Sequence, residues 1–187
     1  IIVESVYAEF EKLFVEKMKK VKMDDPLNKE NLLGPQASVS LRNELHQQVL
    51  NSIERGANLL IGGELPKMKG AFYPATVLSG VKKGMPAYDE ELFGPVAALI
   101  KVKNEKEAIE TANDSIFGLG AAIFSRDVSK AEEIAKKKLN AGSCFINSFV
   151  KSDPRLPFGG VKQSGYGREL SVFGIREFLN IKTVYVK

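Results

Sequence analysis

The feature that most constrains the fold is an alternation of strand and helix patterns between residues 96 and 147. The segments 96–102, 118–124 and 142–147 have the length and apolar character of strands, and helical periodicity fills both intervals. Strands that are joined through helices pair in parallel with right-handed crossovers. The alternation therefore predicts an α/β fold, in which a mostly parallel sheet carries helices on both faces.

The remaining elements are predicted from periodicity, caps and turn residues. Strands are expected at residues 58–61 and 71–78, and Pro74 makes the second an edge strand or places a bulge in it. His46 lies beside the apolar face of the second helix, where a solvated side chain is expected. Polar residues that could cap the helices precede each one: Ser5, Ser38, Asn104, and Asp127 or Ser129.

Composition limits the class of protein. The 187 residues suit one domain or one domain with an appendage, and a hydrophobic fraction of 44% is sufficient for a core. The net charge is +4, but basic and acidic residues are interleaved, so no nucleic-acid surface is predicted. No apolar run is long enough to cross a membrane. One cysteine and one histidine provide neither an internal disulfide nor a zinc cluster, so we expect no metal and a cytoplasmic location.

Two neighbouring residues near position 92 could bind a ligand. The stretch from Glu91 to Val96 places a carboxylate and the Phe93 ring before a Gly-Pro corner and a buried strand. A carboxylate accepts hydrogen bonds from sugar hydroxyls, and a ring packs on a flat heterocycle. The alternative interpretation is an ordinary strand entry with solvated glutamates and a phenylalanine in the core.

A second informative stretch follows the strand at 142–147. Four glycines lie between residues 159 and 167, which indicates close backbone packing. The spacing matches neither a dinucleotide-binding fingerprint nor a phosphate-binding loop. A short helix is predicted over 169–178, and the alternation at 181–186 predicts a terminal strand that could complete the sheet of another subunit.

These segments resemble the aldehyde dehydrogenase family. Residues 91–96 resemble its signature E-I/L-F-G-P-V, residues 113–119 its N-x-S/T-x-F/Y-G-L segment, and residues 142–147 its G-x-x-x-I/V-N strand. Residues 157–169 match P-F-G-G-x-K-x-S-G-x-G-R-E throughout. The resemblance is to the C-terminal part of an NAD(P)-dependent aldehyde dehydrogenase, and the bacterial succinate-semialdehyde dehydrogenases are the most similar group.

In that family a cysteine thiolate attacks the aldehyde, hydride passes to NAD or NADP, and a glutamate-activated water hydrolyses the thioester. The resemblance implies that Glu91 binds the nicotinamide ribose and that Phe93 packs near the nicotinamide. It implies that Phe158 lines the substrate tunnel and that Glu169 is a buried glutamate of a proton relay. The terminal strand resembles an oligomerisation strand, so a homodimer or homotetramer is expected.

The resemblance also implies a division of the chain. Residues 1–163 would be the C-terminal part of the catalytic domain, and residues 164–187 a helix with the oligomerisation strand. The dinucleotide-binding domain, the nucleophilic cysteine and the general-base glutamate would lie outside the chain, which opens within a strand pattern and reads as part of a longer protein. Cys144 is interpreted as a small buried apolar residue. We therefore expect the isolated chain to be inactive.

The loop before Pro157 indicates the class of aldehyde. Lys151, Ser152 and Arg155 offer cationic and hydroxyl donors, which suit a carboxylate at the far end of a short aldehyde. Ser152 falls where succinate-semialdehyde dehydrogenases carry a carboxylate-binding serine. The substrate expected from this is succinate semialdehyde, and the alternative is that these side chains only solvate a surface loop.

Other functions stay open at this point. A CoA-acylating or a broad-range aliphatic aldehyde dehydrogenase would share the fold and the cysteine chemistry. A non-enzymatic structural or interaction module would account for the terminal strand. The sequence does not choose between NAD and NADP.

Overall fold

The computed structural model describes all residues 1–187, which fall into two compact units, residues 1–108 and 109–187. The helices are α1 (Glu4–Met18), α2 (Val39–Glu54), α3 (Pro86–Asp89), α4 (Glu105–Asn113), α5 (Val128–Lys137) and α6 (Ser171–Glu177). The strands are β1 (Ile2–Val3), β2 (Asn58–Ile61), β3 (Thr76–Ser79), β4 (Val96–Ala98), β5 (Lys101–Val102), β6 (Gly120–Ile123) and β7 (Ser143–Ile146). The predicted division after residue 163 stays a prediction.

The α/β class and the parallel pairing are confirmed. The pairs β1–β5, β3–β4 and β6–β7 are parallel, and only β2–β3 is antiparallel. The strands form three small sheets in place of the single predicted sheet, and the run at 96–102 contributes to two of them. Its first half pairs with β3, and after Ile100, whose carbonyl accepts a 2.8 Å hydrogen bond from the Ile2 amide, its second half pairs with β1.

Most of the predicted caps are confirmed. The Ser38 side chain accepts from the Leu41 amide at 3.1 Å, and the Asn104 and Asp127 side chains accept from amides three residues ahead at 3.0 Å. The capping prediction for Ser5 was wrong, since it lies within α1, which begins at Glu4 with Val3 as its uncapped N-terminal residue.

The core of the first unit forms around β3. All of Thr76–Ser79 is buried, with β2 on one side and β4 on the other. The predicted edge position was wrong, because Pro74 precedes the strand and leaves every residue of β3 free to pair. Leu45 and Val49 of α2 pack with Leu78 in one cluster of buried residues. In the second unit, the helix α5 buries Ala131 and Ile134.

The short helix predicted near the C-terminus is present, with its start displaced. The helix α6 begins at Ser171, two residues later than predicted, since Glu169 instead pairs with Phe158. Residues 180–187 belong to no helix or strand within the single chain, so the terminal strand, which was expected to pair with another subunit, stays a prediction. None of the helices has both the length and the apolar composition that crossing a membrane would require.

The prediction of a solvated side chain at His46 was wrong. His46 is half-buried, and its Nδ1 lies 3.2 Å from the hydroxyl of Tyr73, a fully buried residue. An unprotonated Nδ1 can accept a hydrogen bond from that hydroxyl, whereas a protonated Nδ1 cannot. Burial lowers the pKa of His46 below its usual 6.5, and the neighbouring Arg42 lowers it further.

This environment predicts a pH-dependent stability. The folded state binds the His46 proton more weakly than the unfolded chain does, so the unfolded chain holds more protons once the pH falls below about 6.5. The stability that neutral His46 contributes is therefore complete above that pH and is lost as the pH falls toward the folded-state pKa. Urea unfolding of wild type and His46→Gln between about pH 5 and 8 checks this. We expect a shallower acid slope in the variant, and equal slopes would contradict it.

Candidate functional site

The segment before β4 holds two exposed side chains on either side of a packed one. Leu92 packs against the core cluster that contains Leu45 and Leu78, while Glu91 is exposed and Phe93 is 67% exposed. The interpretation of Phe93 as a core residue was therefore wrong. The packed Leu92 therefore lies between an exposed carboxylate and an exposed ring.

The backbone around this pair is fixed by close packing. A Cβ on Gly94 would lie 2.4 Å from Leu45 Cδ2 and 3.0 Å from Gln36 Nε2. The Gly94 amide donates to the Leu92 carbonyl, and the Val96 amide donates to the Gly94 carbonyl, both at 2.8 Å. Gln48 donates to Glu90 Oε2 at 2.9 Å and to the Glu91 carbonyl at 3.2 Å. These contacts hold the Glu91 main chain but leave its carboxylate available.

The predicted carboxylate-binding residues lie on one exposed loop in the second unit. Lys151, Ser152 and Arg155 are all exposed there. The Arg155 guanidinium is not free, because it donates from Nε and Nη2 to the two carboxylate oxygens of Asp153 at 2.9 and 2.7 Å. This pairing lowers the pKa of Asp153 far below its usual range and raises the pKa of Arg155.

Phe158 and Glu169, which the resemblance links to the substrate tunnel and the proton relay, are brought together. Their backbones form an antiparallel bridge with hydrogen bonds of 2.9 and 2.8 Å. The Phe158 side chain is half-buried. Glu169 is exposed in this chain, and its burial in the whole enzyme, which the resemblance implies, stays a prediction. Glu169 lines a shallow depression of about 440 Å³ with Pro154, Leu170, Ser171, Gly174, Ile175 and Phe178.

Polar side chains of the glycine-rich segment hold it in place. Lys162 donates to the carbonyls of Asn113 and Ser115 at 2.9 and 2.8 Å. Ser164 accepts from the Gly118 amide at 2.9 Å. Arg168 donates to two carbonyls within the segment, those of Gly160 and Gly167. The segments 113–119 and 157–169, recognised separately in the sequence, thus form one packed assembly within the second unit.

The contacts of Cys144, within β7, and of Asn147, directly after it, indicate structural roles. Asn147 has a φ of 51°, and its side chain makes two hydrogen bonds of 2.9 Å to the backbone of Ser125. Cys144 is half-buried within β7, and burial raises the pKa of its thiol. A raised pKa disfavours the thiolate that a nucleophile needs, which agrees with its interpretation as a small apolar residue.

The sequence did not indicate the structural roles of four residues of this region: Asp153, Lys162, Ser164 and Arg168. An acidic residue two positions before an arginine signals a local turn with a salt bridge, so Asp153 was open to prediction. The partners of Lys162 and Ser164 are backbone atoms more than forty residues away along the chain. Every residue has a backbone carbonyl, so the sequence does not indicate which of them accepts a hydrogen bond. Glu91 and Phe93 belong to the first unit, and the other predicted site residues belong to the second.

The chain matches known proteins along nearly its whole length. The sequence profile described as the aldehyde dehydrogenase family matches residues 1–184. The NAD(P)+ succinate semialdehyde dehydrogenase Sad of Escherichia coli is 49% identical over 185 residues, which are 99% of this chain and 40% of that protein. The NADP+ succinate-semialdehyde dehydrogenase 1 of Mycobacterium tuberculosis is 43% identical over 186 residues, covering 100% of this chain and 40% of that protein.

Solved structures agree. The succinic semialdehyde dehydrogenase of Streptococcus pyogenes, in complex with NADP+, has a TM-score of 0.94 and 41% identity, covering 98% of this chain and 40% of that chain. The betaine aldehyde dehydrogenase of Staphylococcus aureus, in complex with NAD+, has a TM-score of 0.90 and 36% identity, covering 95% of this chain and 36% of that chain. The chain thus spans about 40% of the length of the curated relatives that it matches.

Proposed function

The chain belongs to the aldehyde dehydrogenase family, and from this premise we propose that the protein carrying it oxidises succinate semialdehyde to succinate with NAD or NADP. The observation that carries the proposal is the exposed pair of Glu91 and Phe93 on either side of the packed Leu92. Three of the proteins described above are named for this substrate. Two of these names give NAD(P)+ or NADP+ as cofactor, and the third protein was solved in complex with NADP+.

The residues present fit a nicotinamide nucleotide. A carboxylate without a proton accepts hydrogen bonds only, which suits the two hydroxyls of a ribose. A phenylalanine ring that is 67% exposed offers an apolar face for a flat heterocycle. In the proposal Glu91 binds the ribose and Phe93 packs near the nicotinamide, and the bound nucleotide supplies the acceptor for hydride.

The substrate side of the proposal rests on the second unit. In the proposal Phe158 provides an apolar wall and Glu169 exchanges a proton with water, and the backbone bridge between the two residues supports this pairing of roles. Ser152 offers a hydroxyl donor and Lys151 an exposed positive charge to the distal carboxylate of the aldehyde. Arg155 adds the part of its guanidinium that Asp153 does not occupy.

We also propose that the protein forms a homodimer or homotetramer in the cytoplasm. The support is the exposure of apolar side chains after α6: Phe178 at 90%, Ile181 at 83% and Val186 at 85%. Apolar side chains in such a row favour burial against another chain. Residues 179–187 would then form a strand only in the assembly.

Replacing Ser152 with alanine tests the substrate. We expect kcat/KM for succinate semialdehyde to fall about tenfold in the gene product that carries these residues, because a hydrogen bond to a charged group is lost. Activity with hexanal, which has no distal carboxylate, serves as the matched control and should be unchanged. An unaltered ratio of the two kcat/KM values would contradict the carboxylate assignment.

A further inference from the structure

The loop proposed to bind the substrate carboxylate contains an acidic residue, Asp153. Its negative charge would repel that carboxylate, so its presence calls for another explanation. Asp153 lies between Ser152 and Pro154 and is 23% exposed at its side chain, whereas the Arg155 side chain is 84% exposed. Its carboxylate accepts three hydrogen bonds from Arg155, from the backbone amide at 2.9 Å, from Nε at 2.9 Å and from Nη2 at 2.7 Å. One partly buried carboxylate thus fixes both the main chain and the guanidinium of Arg155.

The loop around this pair is itself anchored. The Asp153 carbonyl accepts from the Leu156 amide at 2.9 Å, which closes a turn. The Ser171 amide, at the start of α6, donates to the Pro154 carbonyl at 3.1 Å. These bonds connect the loop to the segment that carries Glu169. The backbone of Asp153 is therefore held by hydrogen bonds, while the side chain of Arg155 extends into solvent.

The guanidinium has two edges that can each bind a carboxylate with two hydrogen bonds. Asp153 occupies the edge formed by Nε and Nη2, and Nη1 has no hydrogen-bond partner within the chain. The edge formed by Nη1 and Nη2 is therefore directed away from Asp153 and is available. An arginine that is held in this way loses less side-chain freedom on binding than a free one.

We infer that Asp153 is a positioning residue that sets the preference for carboxylate-bearing aldehydes, by holding Arg155 with its Nη1–Nη2 edge turned outward. The inference rests on the proposed function. Asp153 does not itself contact the substrate. The negative charge of Asp153 repels a bound carboxylate, but water and salt screen this repulsion at so exposed an arginine. The ordering of the Arg155 side chain therefore has the larger effect on binding.

The test is a kinetic double-mutant cycle on Asp153→Ala and Arg155→Ala in the gene product that carries this chain. We expect Asp153→Ala to raise KM for succinate semialdehyde about three- to tenfold, the change expected when one long side chain must be ordered on binding. kcat, and both constants with hexanal, should be unchanged. Arg155→Ala should give a similar or larger increase, and the double variant no more than Arg155→Ala alone.

Matched variants separate the inference from the proposed function. Asp153→Asn keeps one oxygen acceptor for Arg155, so its KM should lie between those of wild type and Asp153→Ala. Three outcomes would overturn the inference. The first is an unchanged or lowered KM for succinate semialdehyde in Asp153→Ala, and the second is a double variant in which the effects of the two substitutions add. The third is an equal increase in the KM for hexanal. If Arg155→Ala has no effect but Ser152→Ala does, the inference fails and the proposed function stands. If neither has an effect, both fail.

Discussion

Replacing Gly142 with alanine is expected to lower the free energy of unfolding by roughly 3 to 5 kcal/mol, near the upper end for a single substitution. A Cβ at this position would lie 1.8 Å from the carbonyl oxygen of Gly159 and 2.8 Å from its carbonyl carbon. The obstacle is main chain and not the end of a flexible side chain, so it cannot turn aside. The clash can be relieved only if β7 and the glycine-rich segment move apart.

Denaturant unfolding of the purified chain measures this effect. Gly34→Ala is the matched control, since its Cβ would meet only the Pro26 side chain at 3.2 Å, and we expect a change within about 1 kcal/mol. Neither glycine has a positive φ, so the comparison isolates steric contact from backbone conformation. A Gly142→Ala variant as stable as Gly34→Ala would show that the two segments do not pack as described.

Replacing Glu91 with glutamine is expected to raise the KM for the nicotinamide nucleotide roughly tenfold to a hundredfold. The proposed carboxylate accepts from two ribose hydroxyls, and hydrogen bonds to a charged group contribute about 1.5 to 3 kcal/mol. Glutamine keeps the size of the side chain but offers one oxygen and no charge. Initial rates at varied nucleotide concentration in the gene product measure the constant, and kcat at saturating nucleotide should change less.

The neighbouring glutamate supplies the control. Glu90 is bound through Oε2 to Gln48 at 2.9 Å, so Glu90→Gln removes the same charge one residue away from the proposed ribose contact. We expect its nucleotide KM to stay within about twofold of wild type, because surface charges at this exposure are screened. Equal effects of the two substitutions would mean that Glu91 acts only through general electrostatics.

The parts of the fold that could be predicted are those determined by neighbours in the sequence. Ser38 and Asp127 cap helices through bonds to amides three residues ahead, so the sequence spacing alone contains the interaction. The bounds of β2 were predicted for the same reason. Gly56 and Gly62, both at positive φ, flank the strand and turn the chain before and after it.

The errors concern pairing over long distances. The run at 96–102 reads as one strand, yet its two halves pair with β3 and β1, which lie elsewhere in the sequence. Periodicity describes which face of a segment is apolar but not which segment covers it. The same holds for the site, since Glu91 and Phe93 were recognisable as residue types, whereas the backbone partners of Lys162 and Ser164 were not.

The bridge between Phe158 and Glu169 has a practical consequence. It closes a loop whose member Tyr166 is fully exposed, at 102% of its reference surface. A fluorophore attached at this position would extend into solvent from the glycine-rich segment that Lys162, Ser164 and Arg168 hold in place. This position therefore offers a labelling site from which ligand binding near Phe158 could be followed by changes in emission.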